Sequence, residues 1–202
     1  MPTDTIDLAP YLAASDVVDY RHPAIAALAR TLAGGSQADC AKRCYDWVRD
    51  RIEHSIDFNR DEVTCIASDV LAVGTGLCYA KSHLLVALLR ANGIAAGFCY
   101  QRLTLNGALP PHCTHGYIGV RLDGAWYRCD ARGNSKPGMH CEFTPGVENL
   151  AYPVQFAGEH EYREVWAQPW PALIEALGRL ERMAQYRAAP IDATPPAATP
   201  AA

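Results

Sequence analysis

Gly74-Thr75-Gly76-Leu77-Cys78-Tyr79-Ala80-Lys81-Ser82-His83-Leu84-Leu85-Val86-Ala87-Leu88-Leu89-Arg90-Ala91-Asn92-Gly93 is a glycine-rich approach followed by a run of good helix formers that stops at Asn-Gly. Cys78 therefore opens a helix. Unpaired amides and the positive dipole end of a helix N-terminus favour a thiolate over a thiol, and the thiolate is the nucleophilic form. The backbone N–H of Cys78 is also free to act as an oxyanion donor. Ala80, Leu84, Ala87, Leu88 and Ala91 fall at helical spacing and can bury one face, making the helix a rigid mount for the sulfur.

Downstream, the segment from His115 to Leu122, then Asp123-Gly124, then Ala125 to Arg132 reads as a β-hairpin with a two-residue turn. That turn sets His115 opposite Arg132 and Tyr117 opposite Asp130, so His115 and Asp130 are diagonal neighbours on one face. Ile118, Val120, Leu122, Tyr127 and Cys129 fall on the other face, which should pack on the core. An imidazole beside a carboxylate is held in one tautomer and stabilised as imidazolium. A helix-start cysteine with such a pair suggests thiol chemistry, whereas alone Cys78 reads equally as a small core residue.

These segments together resemble the transglutaminase-like superfamily, which shares the papain-like order Cys, His, Asp. The matching residues are Gly76-Leu77-Cys78, the helix ending Leu88-Leu89-Arg90-Ala91-Asn92-Gly93-Ile94, the strand led by His115, and Trp126 followed by Asp130. Tyr45-Asp46-Trp47-Val48 extends the resemblance upstream, over about residues 40 to 132. The resemblance implies that Cys78 is the nucleophile, His115 the general base and acid, and Asp130 the orienter. Three positions depart from the family pattern: Lys81 where an aromatic is common, Gly93-Ile94-Ala95-Ala96-Gly97 in place of Gly-Ile-Pro-Ala-Arg, and Asp130-Ala131 in place of Asp-Pro.

The fold expected is α+β of papain-like, transglutaminase-like type, with helices packed on an antiparallel sheet. The activity expected is cysteine-dependent acyl transfer through a thioester, as a peptidase or amidase acting on a peptide or protein amide, without a cofactor. A transglutaminase using an amine acceptor and a non-catalytic binding scaffold are the alternatives. Around the triad, Gln101 is a candidate oxyanion donor, Lys81 a candidate for lowering the thiol pKa or binding a substrate carboxylate, and Tyr117 a candidate cleft wall. His83, off the face of Cys78, reads as a hydrogen-bonded core histidine, and His54 has no visible partner.

The 202 residues suit a single domain over residues 1–187, with its core at about 36–132, and an Ala/Pro/Thr-rich tail, 188–202, expected to be disordered. A net charge of -4 without a Lys/Arg cluster gives no nucleic-acid surface, and no apolar stretch is long enough for a bilayer. Met1 to Leu8 lacks the pattern of a secretory signal, so the expected location is cytoplasmic and the eight cysteines are expected as thiols. Cys40 and Cys44, one turn apart, belong to the core face of a helix from Ala38 to about Ile52, opened by Ser36-Gln37-Ala38-Asp39. No Cys-x-x-Cys pair is present, and no metal site is expected. Helices are also expected over 22–33, 67–72 and 172–187, strands over 94–105 and 162–167, and a loop at 106–111 and again at 133–146.

Overall fold

The computed structural model describes residues 7–197. Helix α1 (Pro23–Leu32) starts after His22, whose Nδ1 accepts the Ala24 N–H. Helix α2 (Gln37–Arg51) is opened by a capping box: Ser36 Oγ accepts the Asp39 N–H and Asp39 accepts the Ser36 N–H. Cys40 and Cys44 lie on its buried face with Tyr45 and Val48, as their spacing requires. The chain then runs through β1 (Glu53–His54), α3 (Ala67–Val73) and β2 (Thr75–Gly76), which pairs in parallel with β1, into α4 (Cys78–Ala91).

Helix α4 departs from the expectation of one apolar face: every residue from Cys78 to Arg90 is buried. It packs against α1, α2, α3 and the sheet at once. Lys81, Ser82, His83 and Arg90 are accommodated because each meets backbone oxygen. Lys81 donates to the carbonyls of Arg49 and Ile52, Ser82 to Cys78, and Arg90 to Ala13, Ala96 and Ala167, while His83 bonds the Cys65 carbonyl.

The sheet comprises β3 (Ala96–Asn106), β4 (Leu109–Leu122), β5 (Ala125–Cys129) and β6 (His160–Glu161) in the order β5-β4-β3-β6, all antiparallel neighbours. Leu122 pairs with Ala125 and Ile118 with Cys129, the register that the Asp123-Gly124 turn dictates. Ile118, Val120, Leu122 and Cys129 are buried and Tyr127 packs beside them, so this face meets the helical layer as expected. The fold is thus the expected α+β arrangement of helices packed on an antiparallel sheet.

Three local expectations change. Pro110 and Pro111, read as loop, lie inside β4; a register shift between Thr104 and Asn106 interrupts the ladder there. Of the strand expected over 162–167 only one bridge, between Trp166 and Phe98, forms, and the short β6 precedes it. The helix expected over 172–187 is two, α5 (Pro171–Gly178) and α6 (Met183–Ala188), divided after Gly178, so Leu173, Leu177, Met183 and Tyr186 are buried and Ala184 is exposed.

The segment after Ala188, expected to be disordered, docks instead. Ile191 is buried, its carbonyl accepts the Thr114 N–H at 2.7 Å, and Thr114 Oγ1 accepts the Ala193 N–H at 2.7 Å. Residues 198–202 of that tail, and residues 1–6 of the stretch read for a leader, lie outside the described residues. Among the described residues, no helix is long and apolar enough to cross a membrane.

Candidate active site

Cys78 is the first residue of α4, and its predecessor Leu77 supplies no side-chain cap, so the first-turn amides keep their donors for other partners. The Gly116 N–H donates to Cys78 Sγ at 3.4 Å. This contact needs a glycine. A Cβ on Gly116 would fall 3.1 Å from Tyr79 Cβ and 3.2 Å from Tyr79 Cα, so the bare backbone is what lets the helix start lie on β4.

The neighbouring residue, His115, donates from Nε2 to Asp130 Oδ2 at 2.6 Å, and both side chains are buried. Asp130 is held from several sides: Oδ1 accepts the Arg132 N–H at 2.9 Å, Oδ2 accepts the Ala151 N–H at 3.1 Å, and its backbone carbonyl accepts the Tyr45 hydroxyl at 2.6 Å. Burial alone would raise the Asp130 pKa, but His115 and the two amides outweigh it and hold the carboxyl below its usual range. Burial likewise opposes an imidazolium at His115. The Asp130 carboxylate and the Cys78 sulfur overcome it by charge and hydrogen bonding, and the pKa rises to about 10. With Nε2 given to Asp130, the ring nitrogen left for the sulfur is Nδ1. Tyr152 packs its ring edgewise on His115 at 5.2 Å, and Tyr117 stacks on it at 6.1 Å with a 22° tilt.

Cys78 and His115 sit at the base of a cleft of about 310 Å³. His54, Leu77, Leu103, Leu105, Arg132, Tyr152 and Tyr186 are among its walls. Lys81, Gln101 and Tyr117 are not among the lining residues. The Lys81 ammonium is sunk against the last carbonyls of α2, where burial, the largest influence, pulls its pKa down to about 7. It borders a second, smaller pocket with Arg49, Asn134 and Ser135. Gln101 pairs with His115 across β3 and β4, and its Nε2 donates to the Tyr152 carbonyl at 3.2 Å. The Tyr117 hydroxyl has no hydrogen-bond partner and does not reach Asp130.

Cleft residues that the sequence did not flag are Tyr152, Tyr186 and Arg132, whose partner Asp57 is not itself a lining residue. Arg132 makes two bonds to Asp57, at 2.6 and 2.8 Å, and Ser135 adds a third. The hairpin register already put Arg132 opposite His115, which is the one signal the sequence held for it. Tyr152 and Tyr186 come from a loop and from α6, where no local pattern marks them. Among the described residues no three His, Cys, Asp or Glu side chains are grouped as metal ligands.

A family profile described as the transglutaminase-like superfamily matches residues 26–131, just over half of the sequence, taking in Cys78, His115 and Asp130. The chain belongs to the transglutaminase-like superfamily. Three solved structures resemble it. A proposed cysteine protease from Cytophaga hutchinsonii superposes with a TM-score of 0.51 at 21% identity, over 65% of this chain and 43% of that one. A proposed protease from Parabacteroides distasonis gives 0.40 at 16%, over 68% and 30%, and a TGase gives 0.40 at 17%, over 74% and 42%. This transglutaminase-like chain therefore spans less than half the length of each of these neighbours. No curated protein gives a significant match.

Within the superfamily, the departure at Gly97 has a local cause. A Cβ there would lie 2.6 Å from the Trp166 carbonyl oxygen and 2.8 Å from Val165 Cγ1. The segment that crosses β3 leaves no room for a side chain.

Proposed function

We propose that the protein is a cysteine-dependent amidase or peptidase in which Cys78 is the nucleophile, His115 the proton carrier and Asp130 the orienter of the ring. The observation that carries this reading is one imidazole placed between a helix-start thiol and a buried carboxylate at 2.6 Å, at the base of an open cleft.

The raised pKa of His115 favours an imidazolium beside the sulfur at neutral pH. The Cys78 thiolate attacks the amide carbonyl, forming a C–S bond and an oxyanion within reach of the free N–H at the start of α4. His115 gives its proton to the nitrogen as the C–N bond breaks, leaving a thioester and a free amine. Water then gives a proton to His115 and attacks the thioester, so that carboxylate and Cys78 are released. Transfer to a primary amine in place of water is the other fate of the same thioester.

Cys78 alkylation by iodoacetamide, followed by mass spectrometry from pH 4 to 10, tests the assignment in wild type and His115→Ala. At pH 6 Cys78 should be alkylated about tenfold or more faster in wild type than in His115→Ala. Ordinary behaviour in both proteins would refute the assignment. Hydroxylamine trapping of the thioester, with and without a competing primary amine, separates hydrolysis from transfer.

A further inference from the structure

The cleft lining is chemically mixed. Leu103, Leu105 and Pro190 give it apolar surface. Apart from the Cys78 and His115 pair, Cys113 and the two tyrosines, every ionisable side chain lining it is of a basic type: His54, Arg132, Lys136 and Arg187. No Asp or Glu is among the cleft-lining residues.

These groups come from distant parts of the sequence and gather on the loop that follows His54. Arg132, 3% exposed, holds Asp57 by two bonds, and Lys136 Nζ stands 3.4 Å from the same carboxylate while half exposed. Arg187 reaches the Asn59 Oδ1 at 3.1 Å and the Arg60 carbonyl at 3.2 Å, both uncharged acceptors. Asp57 thus answers one cation and is already occupied by Ser135 as well. His54 Nδ1 is buried without a hydrogen-bond partner, 3.7 Å from Asp57 Oδ1.

The other carboxylates nearby are not lining residues: Glu53 and Glu62 share Arg60, Asp61 pairs with Arg182, and Glu159 accepts from Thr104, Gln155 and Phe156. Among the cleft-lining side chains Arg132, Lys136 and Arg187 carry positive charge, and Asp57 is the one carboxylate paired with them. Low-dielectric walls focus such a field into the cleft.

We propose that the cleft takes a carboxylate-bearing peptide amide, the carboxylate seated against Lys136 and Arg187 and an apolar neighbour lying on Leu103 and Leu105. The proposal rests on Cys78 being the nucleophile. The carboxylate is either an acidic side chain or a free C-terminus next to the reacting carbonyl.

Three chloroacetyl dipeptides separate these: chloroacetyl-Ala-Gln-amide (neutral), chloroacetyl-Ala-Glu-amide (side-chain carboxylate) and chloroacetyl-Ala-Gln free acid (terminal carboxylate). At least one acidic probe should alkylate Cys78 about fivefold or more faster than the neutral one, and which one does so names the source. In K136Q/R187Q, folded by circular dichroism, the acidic-to-neutral ratio should fall towards one. In wild type about 0.5 M salt should lower the same ratio, a readout that needs no variant. Equal rates for all three probes in wild type, or a ratio that survives both the double substitution and salt, would overturn the proposal. Failure of the nucleophile assignment looks different: Cys78 would then react with the neutral probe as an ordinary thiol, with no change in His115→Ala.

Discussion

The Asp130 carboxylate accepts three N–H groups and reaches no bulk water, so its charge acts almost wholly on His115. Asp130→Asn keeps the shape and can still accept from Arg132 or Ala151. Its amide nitrogen would face Nε2 as a donor, however, and push the ring proton to Nδ1, beside the sulfur. The expected result is a loss of amide hydrolysis on the order of 10²- to 10⁴-fold with the fold retained. Steady-state kcat/KM and the rate of Cys78 alkylation at pH 6 both read this, and parity with wild type in both would remove Asp130 from the mechanism. The three principal residues were legible because each carries its own local frame: a helix start, a strand, and a turn that sets register. Lys81 was not legible in the same way. Its partners are carbonyls at the end of α2, some thirty positions earlier, and nothing around Lys81 in the sequence announces them.

Cys78 and His115 sit on different elements, and the contact between α4 and β4 decides whether they meet. Gly116 is the point of closest approach, with its N–H on the sulfur and Tyr79 directly over its Cα. Gly116→Ala puts a methyl within 3.1 to 3.2 Å of Tyr79 Cβ and Cα, and backbone there cannot swing aside as a side-chain tip would. The helix start must shift by a few tenths of an ångström, at a cost of about 1–3 kcal/mol. Because reacting geometry tolerates little displacement, the loss in Cys78 reactivity should exceed tenfold, beyond what the small drop in denaturation midpoint accounts for. A variant destabilised in proportion but equally reactive would show that the approach is only packing. Elements were legible where periodicity or a turn was local, as in α2 and the β4–β5 hairpin. Burial all round α4 was not, since Lys81, Ser82, His83 and Arg90 break its apolar pattern, and Lys81, His83 and Arg90 are reconciled only by acceptors from other segments. The docking of residues 190–193 on β4 was hidden for the same reason: main-chain bonds to Thr114 carry no side-chain pattern, and Ile191 is a lone apolar residue in a bland stretch.

Enclosing α4 on every side has a consequence for the whole molecule: the fold holds ionisable groups that cannot relax into water. His83 is fully buried, its Nδ1–H on the Cys65 carbonyl at 2.7 Å, and burial pulls its pKa down to about 4. His54 is pulled below its ordinary value chiefly by burial and by Arg132. Asp130 is held low by His115. Each group acts in the same direction. The unfolded chain protonates His83 near 6.5 and the native one only near 4, so between these values the unfolded state binds more protons and stability is lost as pH falls. Depressed Asp130 adds loss below the ordinary carboxylate range, again on acidification. The transglutaminase-like fold should therefore weaken steadily below pH 6.5. His83→Gln removes one contributor while keeping a donor in reach of Cys65. Wild type should lose on the order of 2 kcal/mol more than this variant between pH 7 and pH 4.5, read from urea midpoints at the two values. The variant is expected to be weaker than wild type at pH 7 and to close that gap in acid. Parallel losses in the two proteins would mean that His83 is already protonated, or relaxed towards water, in the native state.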